Sequence, residues 1–284
     1  MQAISAAGKS GGSIIGGDSS LPEHAMAQDK WSSKQYLMFE NERTRPVRDL
    51  LAAVPMAEAR QVVDLGCGPG HSTEVLAQRF PAAKVSGLDS SSDMIAAARK
   101  RMPHVHFEVA DIRTWPAEGP FDVILSNAVF QWVPGHETLF PALIAKLAEG
   151  GSLAIQMPDT QEEPPHRMMR ELAADGPWAD KLKDVSQART ALQSAEWYYG
   201  MLEPHCSRVD IWRTTYYHVL KDGPSAIVEW FKGSALRPFL DPLDDGEKSA
   251  YLARYTEMVA RTHPAMADGT VLLPFPRLFM VATR

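Results

Sequence analysis

The stretch Val62-Val-Asp-Leu-Gly-Cys-Gly-Pro-Gly70, followed by Gly87-Leu-Asp-Ser-Ser91, decides the fold of this chain. An apolar run ends in an acid and a glycine-rich turn; a helix and a second short apolar run, again ending in a carboxylate, come next. Gly66, Gly68 and Gly70 let the backbone turn sharply and let a ligand approach without a Cβ in the way. Asp89 stands about 20 residues beyond the glycines, where a carboxylate can accept both hydroxyls of a ribose. This is the front half of a nucleotide-binding βαβ unit, with Ser90 beside the ribose acid.

The spacing then narrows the nucleotide. Dinucleotide folds carry G-x-G-x-x-G and set a pyrophosphate on the helix N-terminus. This chain has G-x-G-x-G preceded by Asp64, a charge that repels a pyrophosphate but suits an ammonium group. Asp111 follows a third apolar run, Val105-His-Phe-Glu-Val109, and is placed with Ile112 to receive an adenine. Acids ending three successive strands fit a sulfonium nucleoside better than NAD. On these residues the chain resembles the class I S-adenosylmethionine methyltransferases. The resemblance implies S-adenosylmethionine as cofactor and S-adenosylhomocysteine as product. It also implies cofactor contacts from Asn127 and Gln131-Trp132, and an N-terminal arm carrying Tyr36, with Trp31 and Phe39, closing over the cofactor.

Around this unit, strands are expected at 61–65, 84–88, 105–109, 121–126 and 151–157, alternating with helices at 71–80, 92–102 and 136–148. An earlier helix, through Val47–Val54, is expected to be capped by Thr44 with Pro46 in its first turn. Such alternation argues for a parallel sheet covered on both faces, with ligands at the carboxyl edge. Asp89, Asp111 and Ser126-Asn127 all fall at that edge. Further strands are expected within Val209–Val219 and Phe275–Ala282, and helices near 224–233 and 244–262. The expected fold is therefore α/β and Rossmann-like: a mostly parallel, seven-stranded sheet with helices on both faces. Insertions at about 158–205 and 221–274 would form a helical cap, all within one domain spanning 26–284.

Bulk properties set outer limits. At 284 residues and 45% hydrophobic, the chain can bury a large core. Its net charge of -6 disfavours nucleic acid or an anionic membrane as partner. No apolar stretch approaches the roughly 20 residues of a membrane span. Cys67 and Cys206 are the only cysteines, which fits a reduced cytoplasm. Residues 1–25 are rich in Gly, Ser and Ala and lack the apolar core of a signal peptide. They read as a disordered, tag-like leader or misplaced start, with Met26 the expected native start.

The acceptor must be read from elsewhere. Arg43, Arg45, Arg213, Arg237 and Arg277 each stand among aromatic or apolar residues, an odd setting for solvent-facing arginines. Guanidinium groups bind carboxylates through paired hydrogen bonds, so several suit a multiply charged acid. Here the resemblance sharpens to family members that esterify a small polycarboxylate. The residues carrying it are Glu42-Arg-Thr-Arg-Pro46, Gln156-Met-Pro-Asp159, Asp210-Ile-Trp-Arg-Thr-Thr-Tyr-Tyr-His218, Leu236-Arg-Pro238 and Phe275-Pro-Arg-Leu-Phe279. It covers about residue 29 to the end. A carboxylate is already ionised near pH 7, so no general base is needed and no catalytic side chain is assigned. The arginines are expected to hold non-reacting carboxylates, with Tyr216, Tyr217 or His218 shaping the reacting end.

Plainer readings stand beside these. Cys67 serves as a small filler rather than a thiol nucleophile. Asp111 could cap a turn, and Asn127, Gln131 and Trp132 could be loop packing. Strand alternation puts Arg213 and Tyr217 on one face and Tyr216 on the other, so not all can line one site. The histidines lack metal-ligand spacing, and no metal is expected. The alternatives in function are another small carboxylic acid as acceptor, an NAD-dependent oxidoreductase, or a non-catalytic cofactor-binding regulator.

Overall fold

A computed structural model of the chain describes residues 40–116, 119–185 and 192–284. The expected leader and the arm residues Trp31, Tyr36 and Phe39 lie outside them. The apolar run before the glycines forms β1 (Gln61–Leu65), an interior strand of the sheet between β2 (Lys84–Asp89) and β4 (Phe121–Asn127). β3 (His106–Val109) closes one edge, and β5 (Leu147–Pro158) follows β4, all in parallel. Beyond β5, β7 (Val271–Thr283) runs antiparallel and carries β6 (Arg208–Leu220) on its far side. The order is thus β3-β2-β1-β4-β5-β7-β6, a seven-stranded and mostly parallel sheet.

Both faces are covered, which is why β1 and β4 are buried without alternation. Helices α1 (Glu40–Ala52) and α2 (His71–Arg79) bury Val47, Leu50, Leu51, Val75 and Leu76 against Val62, Leu125, Ala154 and Phe279. Helix α3 (Ser92–Arg101), capped by Ser91, packs Ile95 and Ala98 near Phe107. On the opposite face, α4 (His136–Ile144) and α6 (Ala195–Leu202) pack Phe140, Leu143, Tyr198 and Leu202 on Ile124, Ile155 and Leu278. A second core joins α5 (Pro164–Ala174), α7 (Pro224–Lys232) and α9 (Asp245–Thr262) around Met169, Phe231, Tyr251 and Tyr255. Two buried hydroxyls pin it: Tyr251 donates to the Met169 carbonyl and Tyr255 to that of Pro165. Short helix α8 (Arg237–Leu240) lies between α7 and α9.

Two elements differ from expectation. Thr44 does not cap α1: the helix begins at Glu40, and Thr44 is buried inside it with Pro46. The missing Pro46 N–H removes one helical bond, but the buried stripe of Val47, Leu50 and Leu51 holds the helix regardless. Helix α4 stops at Ile144, and β5 starts at Leu147 rather than 151. Leu147 pairs with Phe121, the register then slips, and Ser152 pairs with Val123. Gly151 permits this, since a Cβ there would stand 2.8 Å from the Phe121 carbonyl oxygen.

Candidate active site

The carboxyl edge of the sheet collects most of the residues singled out above. Asp64, at the end of β1, is fully buried. Its Oδ2 accepts hydrogen bonds from Ser72 Oγ at 2.6 Å and Thr73 Oγ1 at 2.7 Å, which ties the first turn of α2 to the strand. Its Oδ1 has no partner among the described residues. Burial pushes this carboxyl up to about 6, against the lowering effect of the two hydroxyls. The adjacent Cys67 thiol is also pushed up by burial, so it stays protonated and inert.

The glycine turn is built to leave room. Gly66 has φ +73°, and a Cβ there would meet Val129 Cγ2 at 2.4 Å. Gly68 has φ +52° and would put a Cβ into open space, with no atom within 4 Å. Open space over a backbone that only glycine adopts easily is what a close-lying ligand requires. Gly66→Ala is expected to cost about 2–4 kcal/mol of stability from left-handed strain and overpacking. Gly68→Ala should cost only about 1 kcal/mol yet weaken cofactor binding strongly. Urea melts and S-adenosylhomocysteine titrations of the pair test this; equal stability losses would refute it.

Asp89 ends β2 and stabilises the same turn. Its Oδ2 accepts from the Gly68 N–H at 3.0 Å and its Oδ1 from the Ser91 N–H at 2.9 Å. Each oxygen retains a lone pair for a ribose hydroxyl. Ser90 beside it is exposed. Asp111 differs: Arg113 forks onto both of its oxygens and holds its carboxyl below the usual range. An adenine amino group would have to share or displace that ion pair. Ile112 is buried in the core behind it.

After β4 the chain turns through Ala128, held at φ +57°, into the one-turn helix Phe130–Trp132. Gln131 Nε2 donates to the Ala128 carbonyl at 2.7 Å, leaving its buried Oε1 without a partner. Asn127 Oδ1 is likewise buried and without a partner among the described residues. Trp132 is exposed. Buried His136 fixes the turn from behind, contacting the Phe130 carbonyl and the Tyr198 hydroxyl at 2.9 Å each.

Across β5 the polarity reverses. Arg277 on β7 is buried, and its Nη1 donates to Gln156 Oε1 on β5 at 3.0 Å. Its guanidinium stands 4.8 Å from the Phe275 ring centre and 5.9 Å from that of Tyr216. Arg45 lies over the same Tyr216 ring at 5.2 Å, with its own side chain largely in solvent. The Tyr216 hydroxyl donates to Asp49 Oδ2 at 2.7 Å, joining α1 to β6. Tyr216→Phe should therefore lower stability by about 1 kcal/mol, as for one hydrogen bond to a partly exposed charge. An unchanged urea midpoint would contradict that.

The other acceptor-site expectations divide. The register places Thr214 opposite Arg277, so Arg213 projects from the other sheet face. There it pairs with Asp159 at 2.5 Å. Tyr217 shares the Arg213 face and is 63% exposed, so neither joins Arg277. His218 is buried, stacked on Trp230 at 4.4 Å and near Phe275. Arg237 is half-buried at the start of α8. The Arg43 side chain and Tyr36 lie outside the described residues. Gln156, absent from the expected site set, is the addition. Its signal was one polar side chain inside an otherwise apolar buried run, which needs a partner.

The donor set fits the cofactor that the motif implies. Three buried acceptors without partners among the described residues (Asp64 Oδ1 and Asn127 Oδ1 at the ends of β1 and β4, and Gln131 Oε1 just beyond β4) suit a cationic ligand over the open glycine turn. Buried donors from Gln156 and Arg277 follow on β5 and β7, suiting an anion.

This sheet order and glycine-turn site are those of the class I methyltransferases. A family model described as a methyltransferase domain matches residues 62–151. Among solved structures, the fold is similar to YcgJ protein from Bacillus subtilis (TM-score 0.56, 12% identity, covering 84% of this chain and 98% of that one). A putative methyltransferase from Bacillus halodurans C-125 gives a TM-score of 0.55 at 14% identity, with the same coverage. In sequence, the trans-aconitate 2-methyltransferase of Rhodopseudomonas palustris strain BisB18 is 52% identical over 89% of this chain and 99% of its own length. That of Variovorax paradoxus strain S110 is 51% identical over 89% of this chain and 98% of its own. The chain belongs to the trans-aconitate 2-methyltransferase family. No helix among the described residues is long and apolar enough to cross a membrane.

Proposed function

We propose that this protein esterifies one carboxylate of trans-aconitate, or of a close small polycarboxylate, with S-adenosylmethionine as methyl donor. The observation carrying this reading is the split in polarity along one sheet edge. Acceptors without partners among the described residues lie at the ends of β1 and β4, and buried donors lie on β5 and β7. A cation and an anion would then meet at the boundary. S-adenosylmethionine, when bound, supplies a sulfonium methyl that a carboxylate oxygen takes in one in-line displacement, the S–C electron pair remaining on sulfur.

The chain's own work is positioning. Asp64 Oδ1 would receive the ammonium group, Asp89 the ribose, and the open backbone at Gly68 the methionine portion. Arg277, aided by Arg45 and Arg237, would hold carboxylates that do not react. A guanidinium on the attacking oxygen would favour substrate over transition state, because that oxygen loses its charge. Orientation of already ionised reactants can supply roughly 7–11 kcal/mol of barrier reduction. No side chain needs to move a proton. Residues 158–205 and 221–274 would form the cap of a single domain, in a cytoplasmic enzyme.

The test is S-adenosylhomocysteine release from purified protein given S-adenosylmethionine and, separately, trans-aconitate, cis-aconitate, citrate and isocitrate. Turnover with trans-aconitate is expected, and product NMR would locate the ester. Binding of S-adenosylhomocysteine without turnover on any of the four acids would move the acceptor elsewhere.

A further inference from the structure

We propose that Gln156 contacts the substrate and selects which carboxyl group reacts, its amide N–H gripping that group beside Arg277; this rests on the acceptor reading above. Gln156 is fully buried on β5, in register with Asn127 on β4 and Phe279 on β7. Its Oε1 accepts from Arg277 Nη1 at 3.0 Å. A guanidinium only donates, so the orientation of the amide is fixed by chemistry: oxygen toward Arg277, nitrogen away. Nε2 is then a buried donor with no acceptor among the described residues. Buried donors are nearly always satisfied, so the missing acceptor belongs to a ligand.

Its position says which part of the ligand. Gln156 lies at the boundary between the acceptor-lined strand ends of β1 and β4 and the cationic Arg277. A carboxyl group reaching the boundary is the one nearest the cofactor side, hence the reacting one. As the O–CH3 bond forms and the sulfonium S–CH3 bond breaks, its electron pair staying on sulfur, one carboxylate oxygen gives a lone pair and the other becomes the ester carbonyl. The group goes from a charge of minus one to neutral, and no proton moves. A neutral amide N–H bonds that second oxygen in acid and ester alike. A guanidinium there would lose its ion pair as the reaction proceeds. Gln156 therefore supplies orientation without opposing the charge loss.

The experiment compares the full chain with Gln156→Met, which keeps volume but removes the donor, and Gln156→Glu, which keeps an acceptor for Arg277 and preserves the packing. Wild-type turnover on trans-aconitate is measured first, followed by kcat and KM for each variant, the ratio of product esters by NMR, and S-adenosylhomocysteine affinity by calorimetry. Gln156→Met should lower kcat/KM by roughly 10- to 100-fold, as for loss of a hydrogen bond to a charged group. Gln156→Glu, with a carboxylate beside the acceptor site, should lose at least as much. Both should alter the ester ratio, while S-adenosylhomocysteine affinity stays within about threefold. An unchanged ester ratio with unchanged KM overturns the role of Gln156, as does a matching loss of S-adenosylhomocysteine affinity. Wild-type protein inactive on trans-aconitate overturns the acceptor reading, and this one with it.

Discussion

Arg277→Ala should raise the KM for trans-aconitate by roughly 30- to 1,000-fold, equivalent to about 2–4 kcal/mol for a buried, hydrogen-bonded charge pair. The basis is burial. Arg277 is 5% exposed, lies near the Phe275 and Tyr216 rings, and donates to the neutral Gln156 amide. A guanidinium out of water among aromatic rings gains much from an incoming anion. Turnover at saturation should change far less, because the carboxylate that Arg277 is proposed to hold is not the one that reacts. Arg277→Lys keeps charge without the planar fork and should recover only part of the loss. Arg213→Ala is the contrast: that side chain is 60% exposed, paired with Asp159 and on the other face. Its KM effect should stay below about threefold, in line with surface ion pairs. A fall in kcat for Arg277→Ala without a rise in KM would defeat this assignment.

The sequence carried the sheet further than the acceptor site, and the reason is range. Strands β1 to β4 are short apolar runs ended by acids or Asn127, and each signal is local. The proposed acceptor site depends on contacts between residues far apart in the chain. Asp49 and Tyr216 are 167 positions apart, and Gln156 and Arg277 are 121 apart. Nothing local to Gln156 announces Arg277 as its partner. Alternation along β6 did separate Arg213 and Tyr217 from Tyr216, because period two is a backbone property. What alternation could not tell was which face α1 covers. Asp49 settles that, and takes the Tyr216 hydroxyl with it. The start of β5 was hidden for another reason: Leu147 and Ala148 continue the apolar pattern of α4, and only the pairing of Leu147 with Phe121 marks them as strand.

Asp64 should make cofactor binding depend on pH in a direction that its burial dictates. Its carboxyl ordinarily titrates at 3.8 and is pushed up to about 6 in the fold, chiefly by desolvation. The folded protein thus binds a proton more tightly than the unfolded chain between those values. Stability from this group is fully present below pH 3.8, is lost as pH rises, and levels off above about 6. The ionised form then costs about 3 kcal/mol relative to the protonated one, at 1.36 kcal/mol per unit. An ammonium arriving at Oδ1 relieves that cost, so binding and stability should move oppositely with pH. S-adenosylhomocysteine affinity should rise up to about tenfold per pH unit below 6 and flatten above it. Asp64→Asn can still accept the Ser72 and Thr73 hydroxyls on its oxygen, but it turns an amide N–H toward the ammonium. It should lose at least about 100-fold in affinity, as for breaking a buried charge contact. It should also abolish the step near pH 6, and should leave the empty protein at pH 7.5 at least as resistant to urea as wild type. A pH effect that arises from any other group at this loop would persist in the Asn variant. A pH profile that survives in Asp64→Asn, or an affinity flat from pH 5 to 8 in the wild type, would mean that the ammonium is held elsewhere.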